Sequence, residues 1–171
     1  MSSELCQQLG LKQMVEQNTD NHQTAFTISI DGIDTDTVIS AYERSATALA
    51  AVKEGAKPED FRRPGHMFPL EESEGGVLKR TGHTEATVDL ALLAGLKPCG
   101  LCCEIMREDG TMMRTTELLE LAEQLGMTVI TIADLVRYRM DRDSLVRKEA
   151  HAKLPTKYGE FEIYGYENKL N

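Results

Sequence analysis

The chain has 171 residues, a hydrophobic fraction of 41% and a formal charge of −9. That size and composition suit one soluble core. The acidity disfavours nucleic acid as a partner, no apolar run nears the roughly 20 residues of a membrane span, and the N-terminus lacks a secretory pattern. The expectation is therefore a cytoplasmic protein, with neither nucleic acid nor membrane as partner.

In chain order, Ser2 or Ser3 can cap a short helix ending before Gly10, with Leu5 and Leu9 on one face. Thr24 to Ile30 alternates and reads as a half-buried strand, followed by a turn at Asp31-Gly32. Ser40-Ala-Tyr-Glu43 is a capping box that opens a helix through Ala48, Leu49 and Val52 to Gly55. A long loop follows, from Lys57-Pro58 to Gly75-Gly76; such length marks function more often than filler.

Val77 to Lys79 reads as a short strand, and Thr84 as the cap of a helix that stops at Gly95. Cys99 to Ile105 reads as a strand and Asp109-Gly110 as a turn. Thr116 opens a helix with Leu118, Leu121, Ala122 and Leu125 on one face, ended by Gly126. Met127 to Ile132 reads as a buried strand and Ala133 to Arg139 as a short helix. Strands and helices so mixed, with some alternation, predict an α+β or α/β domain: a layered sheet with helices packed on it. From about Asp141 the character changes to a charged joint and a tail that could form a hairpin.

Three clusters could carry chemistry. Arg63-Pro64-Gly65-His66 sets a cation and an imidazole in a constrained loop. Lys79-Arg80-Thr81-Gly82-His83-Thr84-Glu85 lies at a helix start, where free N–H groups and an arginine fork suit a phosphate and His83 can bind metal or move a proton. Glu104 is a carboxylate inside an apolar strand, costly unless paired or protonated. Plainer readings stand beside these. His66 can be a surface histidine, His83 structural, and Glu104 a solvent-facing edge residue. Glu85 and Asp89 read as a solvated helix face, and Met112-Met113 as core filling. Cys99 and Cys102 form a C-x-x-C pair without the second pair that zinc needs; small thiols in a buried strand are the plainer reading. The pattern fits a small anionic substrate with an oxygen-binding cation.

Arg63-Pro-Gly-His-Met-Phe-Pro-Leu70, Gly75 to Thr87, Cys103-Glu-Ile105 and Asp109-Gly-Thr-Met112 closely resemble the 3,4-dihydroxy-2-butanone 4-phosphate synthase family. Met14 to Thr19 and Thr24 to Ile30 extend the likeness, which runs from about Met1 to about Arg139. The resemblance implies an α+β homodimer with sites near the interface. It implies a magnesium-dependent lyase, with manganese as an alternative ion, that makes L-3,4-dihydroxy-2-butanone 4-phosphate and formate from D-ribulose 5-phosphate in riboflavin biosynthesis. By the same resemblance His66 and Glu104 are the catalytic pair. Arg80, Thr81, Gly82, His83 and Thr84 form the substrate loop, Thr37 adds a sugar-phosphate contact, and His83 is a metal ligand.

Two departures follow. The family carries an acidic loop of pattern Asp-x-x-x-Arg-Glu-x-x-Gly-Asp, which supplies the other metal ligand; no such motif occurs here. The sequence therefore reads as a synthase domain over residues 1–140, incomplete at its N-terminus. Residues 141–171 read as a linker and the first strands of a GTP cyclohydrolase II-like domain, as in bifunctional riboflavin proteins. A catalytically incomplete or partner-dependent module is the alternative to an active lyase. In the second departure, Asp36 and Val38 replace the Thr and Gly of the family's Thr-Thr-Gly-Ile-Ser, and valine does not easily take the positive φ that glycine allows.

Overall fold

The helix starts follow local chemistry. In the computed structural model, which describes residues 1–169, the Ser2 hydroxyl accepts the Leu5 N–H and starts α1 (Ser3–Gln8). Ser40 does the same for Glu43 at the head of α2 (Ala41–Val52), and Thr131 for Asp134 at the head of α5 (Ile132–Arg142). These side-chain oxygens satisfy amides that a helix start leaves unpaired. α3 (His83–Leu93) begins at Gly82, without a side-chain cap, and not at Thr84. α4 (Thr115–Leu125) ends at the left-handed Gly126, as expected.

The α+β class is what forms, with the strands among the described residues divided into three two-stranded antiparallel ladders. β1 (Ala25–Phe26) pairs with β4 (Leu70–Glu71), and β2 (Ile30–Gly32) with β3 (Phe61–Met67). β5 (Val146–Thr156) and β6 (Gly159–Asn168) make the C-terminal hairpin. The expected strand over Thr24 to Ile30 is split, because Thr27 and Ser29 are buried too and their side chains bond backbone: the Thr27 hydroxyl donates to the Pro69 carbonyl at 2.9 Å, and the Ser29 hydroxyl accepts the Gly65 N–H of β3 at 3.0 Å. Asp31-Gly32 is strand, not turn, and the long loop contains β3 and β4. Val77 lies in a 3-10 turn over Gly76–Leu78 instead of a strand.

The expected strands Cys99 to Ile105 and Met127 to Ile132 do not form ladders among the described residues. Leu101, Ile105, Met127, Val129 and Ile130 are exposed there. Apolar composition alone signalled burial, but a strand also needs a neighbour for its backbone groups.

Two small cores hold the body. Leu5, Leu9, Leu11, Ile30, Ala51 and Phe61 join α1, α2 and the β2–β3 ladder. Val77, Ala86 and Leu135 join the 3-10 turn to α3 and α5. Each large apolar side chain fully buried this way contributes roughly 1.5–3 kcal/mol.

The second core is bordered by ions. Asp89, 4% exposed, accepts the Val77 N–H at 2.9 Å and pairs with Arg139 Nη1 at 2.7 Å. Arg139 also donates to the Gly75 carbonyl and pairs with Asp143. One turn earlier, Glu85, 1% exposed, accepts the Ser73 N–H at 3.0 Å and pairs with Arg80 Nη1 at 2.7 Å. The reading of Glu85 and Asp89 as a solvated face is thus corrected: both lie on the buried side of α3, each matched to an arginine and to a backbone amide.

Half-buried Glu72 stands near these carboxylates. Burial, then the charge of Asp89, pushes its carboxyl up to about 7 from an ordinary 4.5, against the pull of the N-terminal ammonium. The folded state therefore holds a proton that the unfolded state releases. Its contribution is fully present below pH 4.5 and is lost as pH rises through 7. The melting temperature should fall between pH 5 and pH 8, and Glu72→Gln should flatten that fall. An unchanged slope in the variant would assign the pH dependence to other groups.

Candidate functional site

His66 sits near the end of β3, across the ladder from β2, which carries Asp31. The two are locked together. Asp31 Oδ1 accepts the His66 backbone N–H at 2.9 Å, and Oδ2 lies 2.8 Å from His66 Nδ1. An ionised carboxylate can only accept, so Nδ1 carries the hydrogen, and in the neutral ring Nε2 keeps a lone pair. The Asp31 side chain is 5% exposed and the imidazole 53%, an oriented base facing solvent. Gly65 makes this approach feasible, since a Cβ there would stand 2.0 Å from the Ile30 carbonyl carbon. Sequence reading placed Asp31 in a turn and missed its role. A carboxylate following the alternating run and a histidine 35 residues on were the available signal.

A second group joins the Thr37 loop to His66. Arg44 on α2 donates from Nη1 to the His66 carbonyl at 3.2 Å and from Nε to the Ile39 carbonyl at 3.3 Å. Glu43 gathers the loop around its carboxylate: the Asp36 and Thr37 N–H groups and the Thr37 and Ser40 hydroxyls all donate to it. These bonds hold the Glu43 carboxyl down at about 2, the Thr37 hydroxyl being the largest cause. The expected capping box is therefore half formed: Ser40 caps Glu43, while Glu43 reaches back past Ser40 to the loop. Val38 takes a φ of +61° at its centre, an uncommon and strained state for a β-branched residue. The Thr37 hydroxyl is engaged with Glu43, so a ligand at this point would compete with that bond.

The third group is the segment 80–84. The Arg80 guanidinium folds back over the start of α3 to Glu85, and its Nη2 donates to the His22 carbonyl and the Thr24 hydroxyl, each at 3.3 Å. Thr81 is exposed, Gly82 precedes the helix and Thr84 is buried in its first turn. His83 is exposed at the first helical position. Positive partial charge and unpaired N–H groups here suit an anion.

Glu104 lies in the exposed segment after Cys99 and has no hydrogen-bond or ion-pair partner among the described residues. Nothing described joins it to His66. The four cysteines are free, and Cys102 and Cys103 are exposed, which corrects the reading of a buried thiol strand. Burial raises the thiol of Cys6 to about 11 and that of Cys99 in the same direction, so neither is a ready nucleophile. A cavity of about 330 Å³ lies between α2, α3 and residues 99–102, lined by Ile30, Thr47, Met67, Thr84 and Cys99 among others. Its wall is mainly apolar and includes neither His66 nor Arg80, so it is not the seat of the polar groups above.

A magnesium pair demands oxygen ligands. Among the described residues no group of three or more His, Cys, Asp or Glu side chains is placed to hold a metal ion. The carboxylates nearest His83 in sequence, Glu85 and Asp89, are already matched to arginines. These residues alone do not fit a magnesium pair.

Comparison with known proteins is consistent along the chain. Residues 1–138 match the family model described as 3,4-dihydroxy-2-butanone 4-phosphate synthase. The chain is 52% identical over 171 residues to the riboflavin biosynthesis protein RibBA of Bacillus subtilis (strain 168), covering all of this chain and 43% of that protein. It is 52% identical over 173 residues to the RibBA of Aquifex aeolicus (strain VF5), covering 99% of this chain and 43% of the relative. The chain thus spans less than half the length of these relatives. Among solved structures, RibBX from A. baumannii, a two-domain 3,4-dihydroxy-2-butanone 4-phosphate synthase, superposes with a TM-score of 0.87 at 46% identity, over 100% of this chain and 51% of its own. A 3,4-dihydroxy-2-butanone 4-phosphate synthase in complex with two magnesium ions superposes with a TM-score of 0.76 at 35% identity, over 83% of this chain and 72% of its own.

Proposed function

Because the chain belongs to the 3,4-dihydroxy-2-butanone 4-phosphate synthase family, we propose that it serves riboflavin biosynthesis as a lyase. It takes D-ribulose 5-phosphate to L-3,4-dihydroxy-2-butanone 4-phosphate and formate. The observation that carries the reading is the Asp31–His66 pair, which holds an imidazole in one tautomer with its free lone pair outward. Such a base suits removal of a carbon-bound proton beside a ketone, the first step such a substrate needs.

In this reading Arg80, Thr81, Gly82, His83 and Thr84 hold the phosphate at the start of α3, and Thr37 touches the sugar once its hydroxyl leaves Glu43. Glu104 is the second proton carrier; its exposed position requires that substrate or a neighbouring chain come to it. The magnesium-bound relative makes divalent-ion dependence part of the proposal, with manganese as an alternative and His83 as the ligand from this chain. No step is derived through the metal, since the described residues do not complete its site.

The protein works as a homodimer in the cytoplasm, on a small sugar phosphate and without nucleic acid. No helix among the described residues is long and apolar enough to cross a membrane. The domain proposal is a synthase part over residues 1–140 and a second unit opening at 141–171. The family match ending at residue 138 and the exposed β5–β6 hairpin that follows support that division. A catalytically incomplete or partner-dependent module is less favoured, because the family match covers residues 1–138 and the 52% identity to the Bacillus subtilis RibBA extends over the whole chain.

The test is formate release from D-ribulose 5-phosphate by the purified chain, with and without Mg²⁺. Magnesium-dependent formate, lost in His83→Ala and in Glu104→Ala, is the expected result. A folded chain that releases none under either condition refutes the lyase reading for this chain.

A further inference from the structure

We propose that Glu85 is a positioning residue that sets Arg80 for the substrate phosphate, an inference that rests on the phosphate-loop reading above. Three residues of the motif act as one device. Glu85 in the first turn of α3 is 1% exposed, and its Oε2 takes Arg80 Nη1 at 2.7 Å. The guanidinium reaches it by crossing directly over Gly82. A Cβ on Gly82 would stand 2.4 Å from Arg80 Nη1 and 2.5 Å from Glu85 Oε2. A side chain at this position would therefore have to displace the ion pair, apart from any ligand.

The carboxylate is in turn fixed by the Ser73 N–H at 3.0 Å, so it cannot follow Arg80 outward. The Arg80 backbone is anchored as well: its N–H donates to the Gly76 carbonyl at 3.0 Å and its carbonyl accepts the Gly82 N–H at 2.8 Å. On its other side the guanidinium meets the His22 carbonyl and the Thr24 hydroxyl at 3.3 Å, at the long end of hydrogen-bond range. One edge is thus held firmly by a buried charge and the other loosely by neutral groups. A phosphate arriving at the helix start can displace the loose contacts and keep the firm one. Arginine held in advance loses less freedom on binding an oxyanion fork.

The sign of the effect separates positioning from simple charge. Glu85 is an anion beside an anion site. Removing its charge, with geometry unchanged, would strengthen phosphate binding. Loss of positioning would weaken it instead.

The experiment measures binding of D-ribulose 5-phosphate to the full chain by titration calorimetry, for wild type, Arg80→Ala, Glu85→Gln and the double variant. Glu85→Gln keeps an oxygen for Ser73 but turns a neutral amide toward Arg80. The expected result is an affinity roughly tenfold lower, as for loss of a charge-assisted bond. The double variant should bind no more weakly than Arg80→Ala alone. If Glu85→Gln does not fold, Glu85→Asp keeps the charge, withdraws it from Arg80 and should also bind more weakly. Unchanged or tighter binding in the folded Glu85 variant, with binding lost in Arg80→Ala, overturns the positioning role while the phosphate loop stands. Arg80→Ala binding like wild type, or a wild type that binds nothing, overturns the phosphate loop and the positioning role together.

Discussion

Replacing Asp89 with alanine is expected to lower the unfolding free energy by about 3–5 kcal/mol, the range for breaking a buried ion pair. The change acts twice. It leaves Arg139, a half-buried cation on α5, without its 2.7 Å partner, and it leaves the Val77 N–H unpaired beside the second core. An unpaired buried donor alone costs about 1–3 kcal/mol. Asp143 still reaches Arg139, but it is 32% exposed and attracts more weakly through water. Asp143→Ala, the matched control, should cost about 1 kcal/mol or less. Urea unfolding of both variants checks the pair. Equal, small losses would mean that the 73–80 turn is held by its apolar contacts and not by these ions.

The second large effect is chemical. Asp31→Asn should reduce formate release about 10²- to 10⁴-fold, the range reported for general acid–base groups and for a histidine left in the wrong tautomer. Asparagine can present its oxygen to the His66 backbone N–H and its NH₂ to Nδ1. That choice puts the ring hydrogen on Nε2 and removes the outward lone pair. The readout that a merely structural role would not move is the split between kcat and KM: kcat should fall with KM little changed, while the fold persists by circular dichroism. Activity within about threefold of wild type would show that the imidazole needs no orienting carboxylate.

Much of this site was legible in the sequence, and the gaps have physical causes. The helix starts at Ser40 and Thr131 and the stop at Gly126 follow rules that act within four residues, so reading them needs no tertiary knowledge. The segment 80–84 could be placed at a helix start because that signal too is local, although the strand expected before it is a 3-10 turn. Asp31 was missed because its partner is a ladder apart, and Glu85 and Asp89 because an acidic residue on a helix usually faces water. Their arginines lie 5 and 50 residues away, and that pairing reverses the rule. The segments from Cys99 and Met127 failed for the opposite reason. Their apolar composition is strand-like, but pairing is a property of neighbours, and the described residues offer them none.

The Thr37 loop is gathered chiefly on one carboxylate. Four donors on either side of the left-handed Val38 converge on the Glu43 carboxylate, so the shape of the loop follows the charge state of that group. A depressed carboxyl contributes above its unfolded value and fails as pH falls through its folded one, here about 2. Mild acid, enough to protonate ordinary carboxyls, therefore leaves this turn intact. In an acid titration it should be among the last surface features to let go, outlasting chain whose backbone is under no strain at all.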